Sequence, residues 1–179
     1  LRVAAPVQFA PAFVVPLIGA FMQRYAGIEV DLTASDRFVD LIEGDIDLAI
    51  RIGELPDSEL AARRLGDLRL VVFGATDYFA RHGRPQRPED LVDHQCLVRT
   101  THGNDANWPF TIDGRPRRVK VSGRFRADNT ASLYAAVANG LGLCFTPLWQ
   151  IRHLLESGRI ELVLTEFESP RVPVHAVWP

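Results

Sequence analysis

The side chains that could perform catalysis or bind a metal are dispersed along the chain. Neither Cys96 nor Cys144 has a close cysteine partner, and both lie in apolar runs typical of inert buried thiols. The five histidines, which the spacing predicts to be surface or hydrogen-bonding residues, are His82, His94, His102, His153 and His175. Glu43, Asp45 and Asp47 bracket a turn and are interpreted as solvated residues. With no nucleophile elbow, phosphate-binding loop or dinucleotide fingerprint, the sequence predicts no catalytic residue, no metal site, no cofactor and no enzyme.

The stronger signals indicate binding of a small molecule. In open α/β sheets, ligands bind at the carboxyl ends of strands, where loops meet helix amino termini that can hold a small anion. The candidate contacts at such positions are Val7, Gln8, Phe9, Ser35, Arg37, Arg51, Thr100, Thr101, Asn129, Thr130, Thr146 and Pro147. For each arginine, a salt bridge that closes a loop is the alternative.

Strands and helices alternate in the first fifty residues. The runs 1–5, 28–32 and 46–50 have the composition or the period of strands. A helix is expected over 9–25, kinked or restarted at Pro16, and a second one from Ser35 or Asp36 to Glu43. This order predicts a parallel sheet with right-handed crossovers.

The second half alternates in the same way around an inserted hairpin. Asp113-Gly114 is a strong hairpin signal between the strands 108–112 and 117–122. Helices are expected from Asp128 or Asn129 to Asn139 and from Pro147 to Leu155. The further predicted strands are 68–75, 96–99, 141–145, 160–164 and 172–178.

The helix over 9–25 has almost no polar face. A helix in the core of a large domain would explain this, but a chain of this size favours one face on the sheet and another on a second subunit. The alanine-rich helix over 130–138 is a second candidate for the same role, although simple packing on the sheet would also explain it. The predicted dimer contacts are Phe13, Val14, Leu17, Phe21, Leu133 and Val137.

The composition is that of an ordinary folded protein of 179 residues, with 47% hydrophobic and 23% charged residues. The net charge of −2 excludes a generally basic nucleic-acid-binding protein, but not a local basic patch. No apolar run reaches the length of a membrane span, so no membrane partner is expected. Two cysteines favour a reducing compartment, the cytoplasm. The first residue is leucine, which suggests a processed product or a fragment.

The motifs together resemble one family along the whole chain. The most specific stretch is Asp47-Leu48-Ala49-Ile50-Arg51-Ile52-Gly53, followed by Asp57-Ser58 and Leu60-Ala61-Ala62-Arg63. Other matching motifs include 35–44, Pro88-x-Asp90-Leu91, His94-x-Cys96-Leu97, Asp128-Asn129 and Gly140-Leu141-Gly142. In this order they resemble the effector-binding domain of LysR-type transcriptional regulators.

The resemblance implies an α/β protein with a two-lobed fold like the type 2 periplasmic binding proteins and two hinge-crossing strands. Lobe I would comprise about 1–74 and 174–179, and lobe II 75–173. A small, often anionic effector would bind in the cleft between the lobes and modulate DNA binding by the parent protein. Only an amino-terminal domain outside this chain would contact DNA. The family also implies a homodimer that pairs the first helix with the second-lobe helix, or a tetramer of the full-length protein.

The chain departs from the family at a few positions. Ala26 replaces a proline, Gln8 replaces the serine or threonine that follows the first strand in many members, and Arg37 replaces a threonine. The effector therefore does not follow from the resemblance. A solute-binding protein of the same fold is the alternative function, and an enzyme on this fold lacks a supporting constellation.

Overall fold

The structure is a computed structural model that describes residues 1–36, 41–100 and 106–179. In chain order, the elements of the first half are β1 (Arg2–Ala5), a π-helical turn (Ala10–Val14), α1 (Val15–Arg24), β2 (Asp31–Ala34), β3 (Leu48–Ile52), β4 (Ala61–Leu68), β5 (Leu70–Ala75), α2 (Thr76–His82) and a 3-10 helix (Pro88–Asp93). The second half contains β6 (Val98–Arg99), β7 (Asn107–Ile112), β8 (Arg115–Lys120), β9 (Arg126–Ala127), α3 (Thr130–Ala138), β10 (Leu143–Pro147), α4 (Leu148–Glu156), β11 (Ile160–Val163), a 3-10 turn (Thr165–Phe167) and β12 (Val172–Trp178).

The chain divides into two compact units. The first unit is Leu1–Asp67 with Val172–Pro179, and the second is Leu68–Arg171. The first boundary falls earlier than the expected position at residue 74, because β5 pairs with β10 and β11 inside the second unit. The predicted run 68–75 is therefore divided between the end of β4 and the central strand of the second unit's largest sheet.

The first unit is built on a five-stranded sheet in the order β2-β1-β3-β12-β4. β1 runs parallel to β2 and β3, as the strand-helix alternation predicts, and β12 runs antiparallel to β3. β4 lacks a sequence signal because Arg63, Arg64 and Asp67 interrupt its apolar residues; every residue before Leu68 is exposed. Of the predicted second helix, residues 37–40 lie outside the described ranges, and 41–45 form hydrogen-bonded turns instead of helix.

The described residues of the second unit form three small sheets, in the orders β10-β5-β11, β6-β9 and β7-β8. The hairpin prediction is confirmed: Asp113 and Gly114 have φ angles of 51° and 71°, so both adopt the left-handed conformation of a tight two-residue turn. The predicted cap of α3 is also confirmed, because the Asn129 side chain accepts a hydrogen bond from the backbone of Ser132 at 2.8 Å. The helix α2 was not predicted.

Two clusters of buried side chains stabilise the second unit. One contains Phe79, Trp108 and Phe110 under the hairpin. The other lies between β5, α3 and α4 and contains Phe73, Leu133, Val137 and Ile151. α3 and α4 are thus held against the same sheet, which places their first turns near the end of β10.

Candidate functional site

A polar cluster occupies the second unit where β10 ends and α4 begins. Thr146 is the penultimate residue of β10. Gln150 follows it by four residues and lies in the first turn of α4. Thr130 begins α3, and Tyr134 lies one turn later on the same face. The packing of α3 and α4 on one sheet brings these two pairs of residues together.

The side chains of the cluster are joined by hydrogen bonds. The Tyr134 hydroxyl bonds to Thr146 Oγ1 and donates to Gln150 Oε1. Thr146 Oγ1 lies 3.3 Å from the same Gln150 oxygen. Thr130 is close enough to the Tyr134 hydroxyl to lower its pKa slightly. Because these bonds use Gln150 Oε1, the amide nitrogen of Gln150 keeps its hydrogens for another acceptor.

The electrostatics of the cluster favour a neutral tyrosine beside a cation. Burial raises the pKa of the Tyr134 hydroxyl, and the bond with Thr146 and the nearby positive charge of Arg99 oppose that rise. Arg99, at the end of β6, is partly buried. Hydroxyl, amide and guanidinium groups are donors that suit a carboxylate or another small anion.

Sequence reasoning found only part of this cluster. Thr130 and Thr146 were predicted contacts, but Tyr134, Gln150 and Arg99 were missed as binding residues. The i, i+4 spacing from Thr130 to Tyr134 and from Thr146 to Gln150 is a signal that could have found the first two, once both helices are predicted.

The other predicted contacts in the second unit have mainly backbone roles. Asn129 uses its oxygen to cap α3, and its nitrogen donates to Asp128 Oδ1 at 3.0 Å. Thr100 is exposed, and its backbone nitrogen donates to the Ala127 carbonyl at 2.9 Å. Pro147 is the residue that precedes α4. Thr101 lies outside the described residues.

In the first unit, the predicted contacts lie after the parallel strands. The backbone nitrogen of Val7 donates to Asp36 Oδ1 at 3.0 Å, which connects the loop after β1 to the end of β2. The backbone nitrogen of Ser35 donates to the Ala5 carbonyl at 2.9 Å in the same place. Gln8 is exposed beside this connection.

Phe9 and Arg51 have defined neighbours in the first unit. The Phe9 ring packs on that of Phe13, with 4.5 Å between ring centroids. Arg51 lies near the end of β3, directly opposite His175 of β12. Arg37 lies outside the described residues. All of these positions remain predicted contacts.

The two helices expected at a dimer interface differ in exposure. α1 has no buried residue, and Phe13, Leu17 and Phe21 expose 40%, 71% and 38% of their surface. Val14, Leu133 and Val137 were also predicted interface residues, but they are 7%, 2% and 0% exposed, respectively. Each of these three side chains packs in the core of its own unit, and a contact with a second copy of the chain stays a prediction for them.

Within the described ranges, no group of three or more His, Cys, Asp or Glu residues is placed to hold a metal ion. Cys96 and Cys144 are buried free thiols, and burial raises the pKa of each to about 12, so both are protonated and unreactive as the sequence predicts. His94 is a buried hydrogen-bonding histidine, with Nδ1 at 3.2 Å from the Tyr78 hydroxyl. None of the helices formed by the described residues is long and apolar enough to span a membrane.

The comparisons with known proteins agree with this geometry. A family profile described as "LysR substrate binding domain" matches residues 1–179. An HTH-type transcriptional regulator of Xanthomonas campestris is 35% identical over 99% of this chain and 53% of its own length. The structure of CrgA, a LysR-type transcriptional regulator from Neisseria meningitidis, superposes with a TM-score of 0.82 at 33% identity and covers 99% of this chain and 60% of that one. The full-length Vibrio cholerae virulence activator AphB superposes with a TM-score of 0.85 at 27% identity, with coverage of 99% and 60%.

The fold is that of a ligand-binding domain of the type 2 periplasmic-binding-protein-like class. Within that class, the chain belongs to the LysR substrate-binding domain family, the effector-binding domains of LysR-type transcriptional regulators. It spans about half the length of the curated relatives it matches, 53% and 54% for the first two.

Proposed function

We propose that the chain senses a small anionic effector for a bacterial transcriptional regulator. The observation that carries this proposal is the cluster of Thr130, Tyr134, Thr146 and Gln150 with Arg99 beside it. A ligand site contains a small number of precisely placed polar groups. In this cluster, hydrogen bonds between the side chains fix their placement. The cluster has this form, and its donors suit a carboxylate.

The effector acts by changing the conformational equilibrium of the longer protein. A ligand shifts an equilibrium only by as much as its affinity differs between two states, so tight binding alone regulates nothing. The proposed output is altered DNA binding, through a DNA-binding domain outside this chain. The names and lengths of the HTH-type relatives support that output and a cytoplasmic location.

α1 is the proposed contact between two copies of the chain. Its Leu17, Phe21 and Met22 side chains are exposed, although each is large and apolar. Such a contiguous patch is typical of a protein interface. The full-length protein then forms a homodimer or a tetramer.

The solute-binding alternative is not favoured, because the matched relatives are transcriptional regulators. The same relatives are regulators instead of enzymes, which supports the proposal that this domain binds its ligand without converting it.

A thermal-shift screen of the purified chain against small carboxylates tests the proposal. A carboxylate present at 100 times its Kd adds about 2.7 kcal/mol of stability, which corresponds to a rise of roughly 5–11 °C in Tm for a domain of this size. Tyr134→Phe and Thr146→Val should reduce that rise by at least half, since each removes a hydroxyl of the cluster. Thr111→Val, which removes a partly buried hydroxyl from β7, is the matched control.

Two outcomes would contradict the proposed site. One is an unchanged ligand-induced shift in both Tyr134→Phe and Thr146→Val. The other is a loss of the same size in Thr111→Val. In the first unit, Gln8→Ala and Arg37→Ala should also weaken the shift without lowering the Tm of the free chain, and an unchanged shift would remove those two residues from the site.

A further inference from the structure

One segment of the second unit concentrates positive charge. Residues 115–127 contain five arginines, one lysine and no acidic residue. The rest of the chain has the other 14 basic residues and all 22 acidic ones, a net charge of −8. A chain that is slightly acidic overall therefore has a local basic surface, to which the proposed effector site assigns no role.

The cations of β8 are exposed. Arg115, Arg117, Arg118 and Lys120 all point into solvent. Among the described residues, no carboxylate lies within ion-pair distance of Arg115, Arg117 or Lys120. The partner of Arg118 is a backbone carbonyl, 3.5 Å from its guanidinium. These charges therefore do not stabilise the fold through ion pairs of their own.

The hairpin of β7 and β8 packs on the second unit by one face and leaves the edge of β8 unpaired. Trp108 and Phe110 of β7 are 3% and 2% exposed, so one face of the ribbon is fixed on the core of the second unit. Within the part of the chain that the structure describes, its sheet contains only β7 and β8, which leaves β8 at the edge. From Arg115 to Lys120 this edge spans about 17 Å, at roughly 3.4 Å per residue.

A shallow cleft of about 500 Å³ lies beside this edge. It is lined by Arg115, Arg117 and Arg118, with Ile112 and Val119 as apolar side chains and Glu89 and Asp113 as carboxylates. The negative charges of these two carboxylates disfavour an anion inside the cleft. The exposed cations of β8 are the stronger feature, with Arg115 and Arg117 on one face of the strand and Arg118 and Lys120 on the other.

We propose that the edge of β8 contacts the phosphodiester backbone of duplex DNA. Guanidinium groups match phosphate geometry with two parallel hydrogen bonds, and duplex DNA carries one negative charge per about 1.7 Å of its axis. Contacts with phosphate oxygens position a protein on the duplex and carry no sequence information, so this binding would not depend on the base sequence. The inference rests on the proposed function, in which a DNA-binding domain holds this unit near DNA.

The experiment is a fluorescence-anisotropy titration of the purified chain with a labelled 30-base-pair duplex of arbitrary sequence, at several salt concentrations. The test variant is Arg115→Gln, Arg117→Gln, Lys120→Gln. The control variant is Arg152→Gln, Arg159→Gln, Arg171→Gln, which removes the same charge from exposed positions elsewhere in the second unit.

The unmodified chain and the control should bind the duplex weakly, with affinity that falls as salt rises. Removing three phosphate contacts should lower the slope of log affinity against log salt by roughly 2–3, since each contact contributes about 0.9. Failure of the unmodified chain to bind the duplex at low salt would overturn the inference. An equal loss of affinity in the test and control variants would also overturn it. Equal binding of a polyglutamate peptide would also overturn it, by showing an acidic-protein surface. The effector-induced thermal shift is measured separately, so the proposed function stands or fails independently.

Discussion

Replacement of Leu133 by alanine tests whether this residue stabilises the fold or a dimer. Leu133 of α3 is 2% exposed and packs with Phe73 of β5 and Val137 of α3. Loss of three buried carbon groups at about 0.8 kcal/mol each removes about 2.4 kcal/mol of transfer free energy. The cavity that remains adds to this, so we expect the free energy of unfolding to fall by about 3–4 kcal/mol.

Leu17→Ala is the matched control for the same change of residue on α1. Leu17 is 71% exposed, so less than a third of the same transfer free energy, about 0.7 kcal/mol or less, is available to the folded chain. We therefore expect Leu17→Ala to leave unfolding almost unchanged but to weaken self-association.

Urea unfolding followed by tryptophan fluorescence measures the first quantity, because Trp108 is buried in the same unit as Leu133. Sedimentation velocity over a concentration series measures the second. The reasoning is refuted if Leu133→Ala costs less than about 1 kcal/mol while it dissociates the dimer. A strict monomer of the unmodified chain at high micromolar concentration would refute the proposed role of α1.

Three further predictions concern local features of the fold. Asn129→Ala removes the side-chain cap of α3 and should cost about 1 kcal/mol of stability in urea unfolding; no change would show that another group caps the helix. Gly123→Ala should cost about 1–3 kcal/mol, because the added carbon would meet the backbone oxygen of Cys96 at 2.2 Å, whereas Gly66→Ala meets nothing within 4 Å and should be neutral. Burial, followed by a nearby histidine charge, lowers the pKa of His94 below its usual 6.5. Since the unfolded chain then binds this proton more readily, stability is fully present above pH 6.5 and falls as the pH drops toward the folded pKa; His94→Gln should flatten the Tm-against-pH curve, and an equally steep curve would contradict this.

The elements with strong local signals were predictable from the sequence. Asp113-Gly114 adopts the left-handed angles of a tight hairpin turn, and Asn129 caps α3, because both features depend on a few neighbouring residues. The parallel pairing of β1 with β2 and β3 was predicted from the alternating strand and helix patterns of the sequence, although 41–45 form turns instead of helix. β4 was not predictable, since its mixed polar and apolar residues show no strand period and form a strand only by pairing at the edge of a sheet.

In the candidate site, too, some residues were predictable from local sequence and others were not. Thr130 and Thr146 were identifiable because each lies where a strand end meets a helix amino terminus. The network with Tyr134 and Gln150 needed the packing of α3 and α4 on one sheet, a contact between distant parts of the chain.

The sequence therefore determined which polar and apolar groups the chain carries, but it did not determine which of them are buried. α1 and α3 are both apolar on several sides, so their patterns do not show which side is covered. In the folded chain, α3 places Leu133 and Val137 in the core, whereas α1 leaves Leu17 in solvent. Burial depends on neighbours that are distant in the sequence, and only the tertiary packing supplies them.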